Sequence, residues 1–148
     1  MSDAGQLIGT WKQLSGVVEE VGTGVSRSNL STAPSGFITF SADGRIVNLT
    51  VDSSRKKPQS NPPTAAEAEA LFRSLIAYAG TYEVDGNKVT YQLDVSWNEL
   101  WTGTEQVRYW RIEGDKLHVS TPEIVNPLTG KKSIHRLVFE KVAAVRGG

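Results

Sequence analysis

An all-β chain of eight antiparallel strands in up-and-down order, with one helix between the third and fourth, is what this sequence predicts. Three observations carry that expectation. Apolar and polar residues alternate through a series of short runs rich in Val, Ile, Thr, Tyr and Trp. Short turns, "SADGR" (41–45), "VDGNK" (84–88) and "EGDK" (113–116), separate several of them and make sequential neighbours antiparallel. One segment alone has a helical period.

The runs fall at 7–20, 36–41, 45–52, 77–84, 88–97, 104–112, 116–121 and 133–142. After the third comes a polar loop, "RKKPQSNPP" (55–63), read as solvated. The stretch "TAAEAEALFRSLIAYA" (64–79) then begins as a helix. Thr64 and Glu67 have capping-box spacing, and Ala68, Leu71 and Leu75 form a stripe at helical spacing. Loop and helix together are expected to cover one end of the strands, as long ordered loops often do. With 148 residues and no internal repeat or linker, the chain reads as one domain, residues 1–148, with an ordered core of about 7–142 and a frayed tail, "VAAVRGG".

Composition excludes several functions. Sixteen basic and sixteen acidic side chains cancel, so no nucleic acid is expected as a partner. The absence of cysteine removes disulfides, thiolate catalysis, zinc knuckles and iron–sulfur clusters. "MSDAGQLIGTW" has neither a basic start nor an apolar run, and no stretch approaches membrane-spanning length. The expectation is a cytoplasmic protein without membrane insertion, in which the sequon "NLT" (48–50) arises by chance. "GTGV" (22–25) lacks the lysine of a phosphate loop, and no Gly-x-Ser-x-Gly elbow occurs. His118 and His135 fall on opposite predicted faces, which leaves no metal site, and no cofactor is indicated. Asp94 and Glu83, the carboxylates that could work as a pair, alternate to the outside. Oligomeric state is not legible.

Side-chain alternation assigns the inner face. Tyr78, Gly80, Tyr82 and Val84 are expected there with Val89, Tyr91, Leu93, Val95 and Trp97. Ile112 should meet Leu117 across its turn, so Gln106, Arg108, Trp110 and Val119 share their face. Ile38, Phe40 and Ile46 carry Asn48 inward, and Leu137 and Phe139 carry His135. A one-residue bulge would reverse any of these beyond it. Strand order alone leaves both a sandwich and a closed barrel open.

The opening strand, "LIGTWKQLSG" (7–16), resembles the first strand of calycin proteins, with Gly9 and Trp11 in the Gly-x-Trp arrangement of lipocalins. Over residues 7 to 142 the chain resembles the small bacterial and fungal lipocalin-like domain proteins. The stretches that carry this are "LIGTWKQLS", "GFITFSADGRI", "AEALFRSLIAYAGTYEVDGNKVTYQLDVS", "WTGTEQVRYWRIEGDKLHVSTP" and "HRLVFEKV". The resemblance implies an eight-stranded lipocalin-like barrel around a pocket. Two departures prevent transfer of a ligand. Leu137 and Phe139 stand where fatty-acid-binding proteins have an Arg-x-Tyr grip on a carboxylate. Typical lipocalins are secreted, often have a disulfide and carry a helix after the last strand, whereas here no export is expected, no cysteine occurs and the expected helix is mid-chain.

In a barrel the lumen would hold Gln13, Asn48, Tyr78, Tyr82, Tyr91, Gln106, Arg108 and His135 among Phe40, Leu93, Trp97, Trp110, Leu137 and Phe139. So many polar groups suit a pocket with apolar walls and a few placed hydrogen-bonding groups. Arg108, steadied by Gln106, is the expected grip for a carboxylate or carbonyl oxygen. Asn48 would help orient it, with Tyr78, Tyr82, Tyr91, Trp97, Trp110, His135 and Phe139 as further ligand contacts. Trp11 reads as a plug at the closed end, covered by Lys141 or Arg146. The resulting expectation is a binder of a small, mostly hydrophobic molecule. The alternative is a cofactor-free isomerase, cyclase or lyase acting on a carbonyl compound, with His135 or a tyrosine moving a proton and Arg108 stabilising negative charge. A third reading is a filled barrel serving as an interaction domain, which an apolar outer patch would favour.

Overall fold

The computed structural model describes residues 4–28, 34–126 and 129–143. A four-residue helix, α1 (Ala4–Leu7), leads into β1 (Gly9–Glu20). There follow β2 (Ser26–Ser28), β3 (Pro34–Phe40), β4 (Arg45–Asp52), helix α2 (Ala65–Arg73), β5 (Leu75–Asp85) and β6 (Lys88–Ser96). A 3₁₀ turn (Glu99–Trp101) precedes β7 (Glu105–Glu113), β8 (Lys116–Ser120), β9 (Ile124–Val125) and β10 (Lys132–Lys141). The strands form one antiparallel sheet in the order β2-β1-β3-β4-β5-β6-β7-β8-β10-β9, and β1 also pairs with β10. That last pairing, from Trp11↔Lys141 to Glu20↔Ser133, closes the sheet into an eight-stranded barrel. The short strands β2 and β9 extend it at one end.

The β3–β4, β5–β6 and β7–β8 turns lie at one end of the barrel, beside α1 and the end of β10. The connections that hold α2, the 3₁₀ turn and β9 all lie at the other. The first end is packed solid by Leu7, Trp11, Phe40, Ile46, Leu117 and Phe139, all essentially without exposure. Trp11 closes it: its indole Nε1 donates to the Leu7 carbonyl at 2.9 Å. The Lys141 ammonium lies 4.6 Å from the indole ring centroid and donates to the Ile8 carbonyl at 2.5 Å. Of the two covers expected for Trp11, Lys141 is the one in contact, and Arg146 lies outside the described residues, as does most of the tail expected to fray.

Alternation holds where the ladders are regular. Ile112 pairs with Leu117 and Trp110 with Val119, which turns Arg108 inward. Asn48 and His135 are likewise buried with Ile46 and Phe139. Two expectations fail. Val95 is 62% exposed, because a bulge shifts the β5–β6 register from Gly80↔Leu93 to Ala79↔Val95 and leaves Asp94 as the extra residue. On the outside, Asp94 accepts two hydrogen bonds from Arg45, at 2.6 and 3.0 Å, which hold the bulge across β5. Leu75 belongs to no helical stripe. The helix stops at Arg73, Ser74 caps it by donating to the Leu71 carbonyl, and Leu75 opens β5. The capping box of Thr64 and Glu67 is formed.

Backbones approach closely at Gly80, where a methyl group would collide with the Gln92 carbonyl beside the bulge. Gly80→Ala is therefore expected to lower stability by about 1–3 kcal/mol, read as a lower urea midpoint at unchanged slope; wild-type stability would refute this packing.

Candidate functional site

Inward-facing residues change character along the strands. On β4 the sequence runs Ile46, Asn48, Thr50; on β10 it runs Phe139, Leu137, His135, Ser133. On β7 it runs Ile112, Trp110, Arg108, Gln106, and β8 leads from Leu117 and Val119 into Thr121. Each series is apolar toward the plugged end and polar toward the end with the long connections. In the polar half lies a cavity of about 40 Å³, lined by Gln13, Asn48, Thr50, Ile76, Tyr78, Trp101, Arg108, Thr121, Ile124, His135 and Leu137. That is room for about three waters, or for a group the size of a carboxylate.

Arg108 dominates this cavity. It is 5% exposed, and its guanidinium donates to the Val107 carbonyl at 2.8 Å. Its carbon lies 5.9 Å from the centroid of the Tyr91 ring. Among the described residues, no carboxylate forms an ion pair with it. A buried cation without a counter-charge costs several kcal/mol as an order of magnitude.

The neighbouring groups are mostly occupied with one another. Thr50 Oγ1 lies within hydrogen-bonding reach of Gln13 Oε1 at 3.1 Å and Asn48 Oδ1 at 3.3 Å. Gln13 Nε2 donates to the Ser15 carbonyl at 3.3 Å. This leaves the Asn48 amide nitrogen with donor capacity in the cavity that Arg108 also lines. Thr121 Oγ1 accepts from the His135 backbone N–H at 3.0 Å, and Ser133 Oγ sits 3.3 Å from His135 Nε2. Burial, and secondarily the positive charge of Arg108, pull the His135 pKa down from 6.5 to about 4. The imidazole is neutral at pH 7.

Four of the sequence-expected contact residues line the cavity: Asn48, Tyr78, Arg108 and His135. The others lie elsewhere. Tyr82 donates its hydroxyl to the Ser41 carbonyl at 2.9 Å, by the β3–β4 turn, and stacks edge-on against Phe40. Tyr91, Trp110 and Phe139 belong to the packed core beneath the cavity. Trp97 stands behind Trp101, with ring centroids 5.4 Å apart. Gln106 donates to Thr104 Oγ1 at 2.9 Å and does not brace Arg108. Parity with their neighbours could have found Thr50, Ile76 and Thr121. Trp101 and Ile124 sit in a 3₁₀ turn and a two-residue strand, where no period exists to read.

The "RKK" segment and α2 form a separate external groove rather than part of the cavity wall. No group of three or more His, Cys, Asp or Glu among the described residues could hold a metal ion, and no helix among them is long and apolar enough to cross a membrane.

The model of the lipocalin-like domain family matches residues 8–142. The chain belongs to that family. Among solved structures, a lipocalin-like protein from Bacteroides uniformis is similar at 13% identity and a TM-score of 0.48, over 92% of this chain and 98% of that one. An uncharacterized protein from Bacteroides eggerthii is similar at 13% identity and a TM-score of 0.46, over 92% and 99% of the two chains. No curated protein gives a significant match. A lipocalin-like fold is suited in general to holding a ligand.

His135 supplies a test of this lipocalin-like lumen. Because its folded pKa lies below the ordinary 6.5, at about 4, the unfolded chain binds the extra proton between those values. The stability present above pH 6.5 should fall by about 3 kcal/mol as pH drops through that window. NMR should show one of the two histidines titrating near pH 4, with that signal absent in His135→Gln. Titration of His135 near 6.5 would mean a wetter lumen.

Proposed function

We propose that this protein binds a small, mostly apolar molecule that carries a carboxylate or carbonyl oxygen, with that oxygen on Arg108. The observation that carries this reading is a guanidinium 5% exposed, facing a cavity and without an acidic partner among the described residues. Its planar fork matches the geometry of a carboxylate. Donors also exceed acceptors in the cavity, since the Arg108 guanidinium carries five N–H groups and spends one on the Val107 carbonyl. The complement is a group that only accepts, and an ionised carboxylate does only that. Asn48 is the second orienting donor in this reading, in place of Gln106.

Conversion of the ligand is the weaker reading. His135 shares the cavity with Arg108, a pairing that could serve proton transfer. However, a base with a pKa of about 4 is poorly matched to abstracting a proton at neutral pH. Binding without turnover follows from the same geometry without that difficulty.

Arg108→Met tests the reading. Loss of a charge-assisted pair should weaken binding of small carboxylic acids about 100-fold, measured by calorimetry on the full chain. Unfolding stability should be unchanged or higher, because an uncompensated buried charge is removed. Equal affinity of wild type and variant for such acids would overturn the assignment.

A further inference from the structure

Resting on the Arg108 reading, the geometry points to a direction of entry and a ligand class. We propose that the ligand enters anionic end first, and that its apolar part is a compact ring held at the mouth against Trp101, Ile76 and Ile124. The ligand is then an aryl or arylalkyl monocarboxylate, not a long-chain acid.

The lumen beyond Arg108 offers no room for a chain. Trp110 lies next on its strand, and below it Leu7, Trp11, Phe40, Ile46, Leu117 and Phe139 fill the barrel to its plugged end. A tail pushed in first would meet packed side chains, and its carboxylate would stop short of the guanidinium. The narrow space of about 40 Å³ beside Arg108 suits the head group, and the apolar body then lies on the mouth-side wall of the same cavity, Ile76, Trp101 and Ile124. Arg108 is the one cationic side chain among the lining residues, which suits a single negative charge.

At the mouth the wall becomes apolar and aromatic. Trp101 stands 5.7 Å from Tyr78 and 5.4 Å from Trp97, and Trp97 stands 6.4 Å from Phe72 of α2. A flat ring can join such a stack. The backbone of the segment bearing Trp101 is well hydrogen-bonded, but its side chains are not all satisfied: Trp97 Nε1 and Thr102 Oγ1 are buried without hydrogen-bond partners. Helix α2, which leans on it through Phe72, buries no residue. A buried unsatisfied polar group favours any rearrangement that frees it, so this wall can yield to an incoming ring.

Two probe series on the full chain, read by calorimetry, test the proposal. The first is phenylacetate, its methyl ester, and phenylacetate bearing an oligoethylene glycol tether at the para carbon. The second is the straight-chain acids from hexanoate to dodecanoate. Phenylacetate should bind, the tether should cost less than about threefold because it projects into solvent, and the ester should lose more than about tenfold. Trp101→Ala should weaken phenylacetate about tenfold, and straight-chain affinity should level off early. Two results would overturn head-first entry while leaving Arg108 its role. One is binding abolished by the tether but retained by the ester. The other is affinity rising about fourfold with every added methylene up to dodecanoate, the sign of a buried channel. If neither series binds, or binding ignores Arg108→Met, the Arg108 reading fails and this inference with it.

Discussion

Pairing of β1 with β10 is the constraint on which the rest depends. It joins the two ends of the chain across the sheet and removes the two edges that an open eight-stranded sheet would expose. Closure also gives alternation its meaning: one face of every strand becomes an interior that water reaches only from the mouth. An inward Arg on an open sheet could bend to solvent. Inside a ring plugged by Trp11 and Lys141, Arg108 cannot.

The interior is divided between two tasks. Its plugged half is a conventional core, where the aromatic rings and branched aliphatics supply the burial that offsets ordering the chain. Its open half gives up part of that stabilisation. Arg108 is desolvated without an ion pair among the described residues, and His135 is held neutral by burial and by that same cation. Stability concentrated at one end leaves the other free to carry unfavourable groups, an arrangement common where function competes with packing. The mouth shows the same economy, with an α2 that contributes no buried residue and a tryptophan-bearing turn with unsatisfied polar atoms.

Outside the barrel, Phe37, Val47, Leu49 and Val95 are exposed on neighbouring strands. The pairs Phe37↔Leu49 and Ala79↔Val95 bring them onto one face. This is the kind of outer patch expected of an interaction domain, but it exists beside a polar cavity, not in place of one. Val95 joins it only because Asp94 is bulged out and tethered by Arg45.

By itself the sequence determined the eight barrel strands (though not the short β2 and β9), their antiparallel order and the inward facing of Arg108, Asn48 and His135. Those are local properties: the alternation period and the turn residues survive in any context that pairs the strands. The bulge at Asp94 was not legible, because an extra residue leaves no mark in composition and only the paired strand reveals the slip. The split of the candidate residues was decided by tertiary structure alone. Tyr82, Tyr91, Trp110 and Phe139 have the right parity but lie at the wrong depth. Depth in a barrel is set by strand tilt and stagger between neighbours, quantities that no single strand encodes. Trp101 and Ile124 reach the cavity from loops for the same reason, since only the closed ring brings those loops over its mouth.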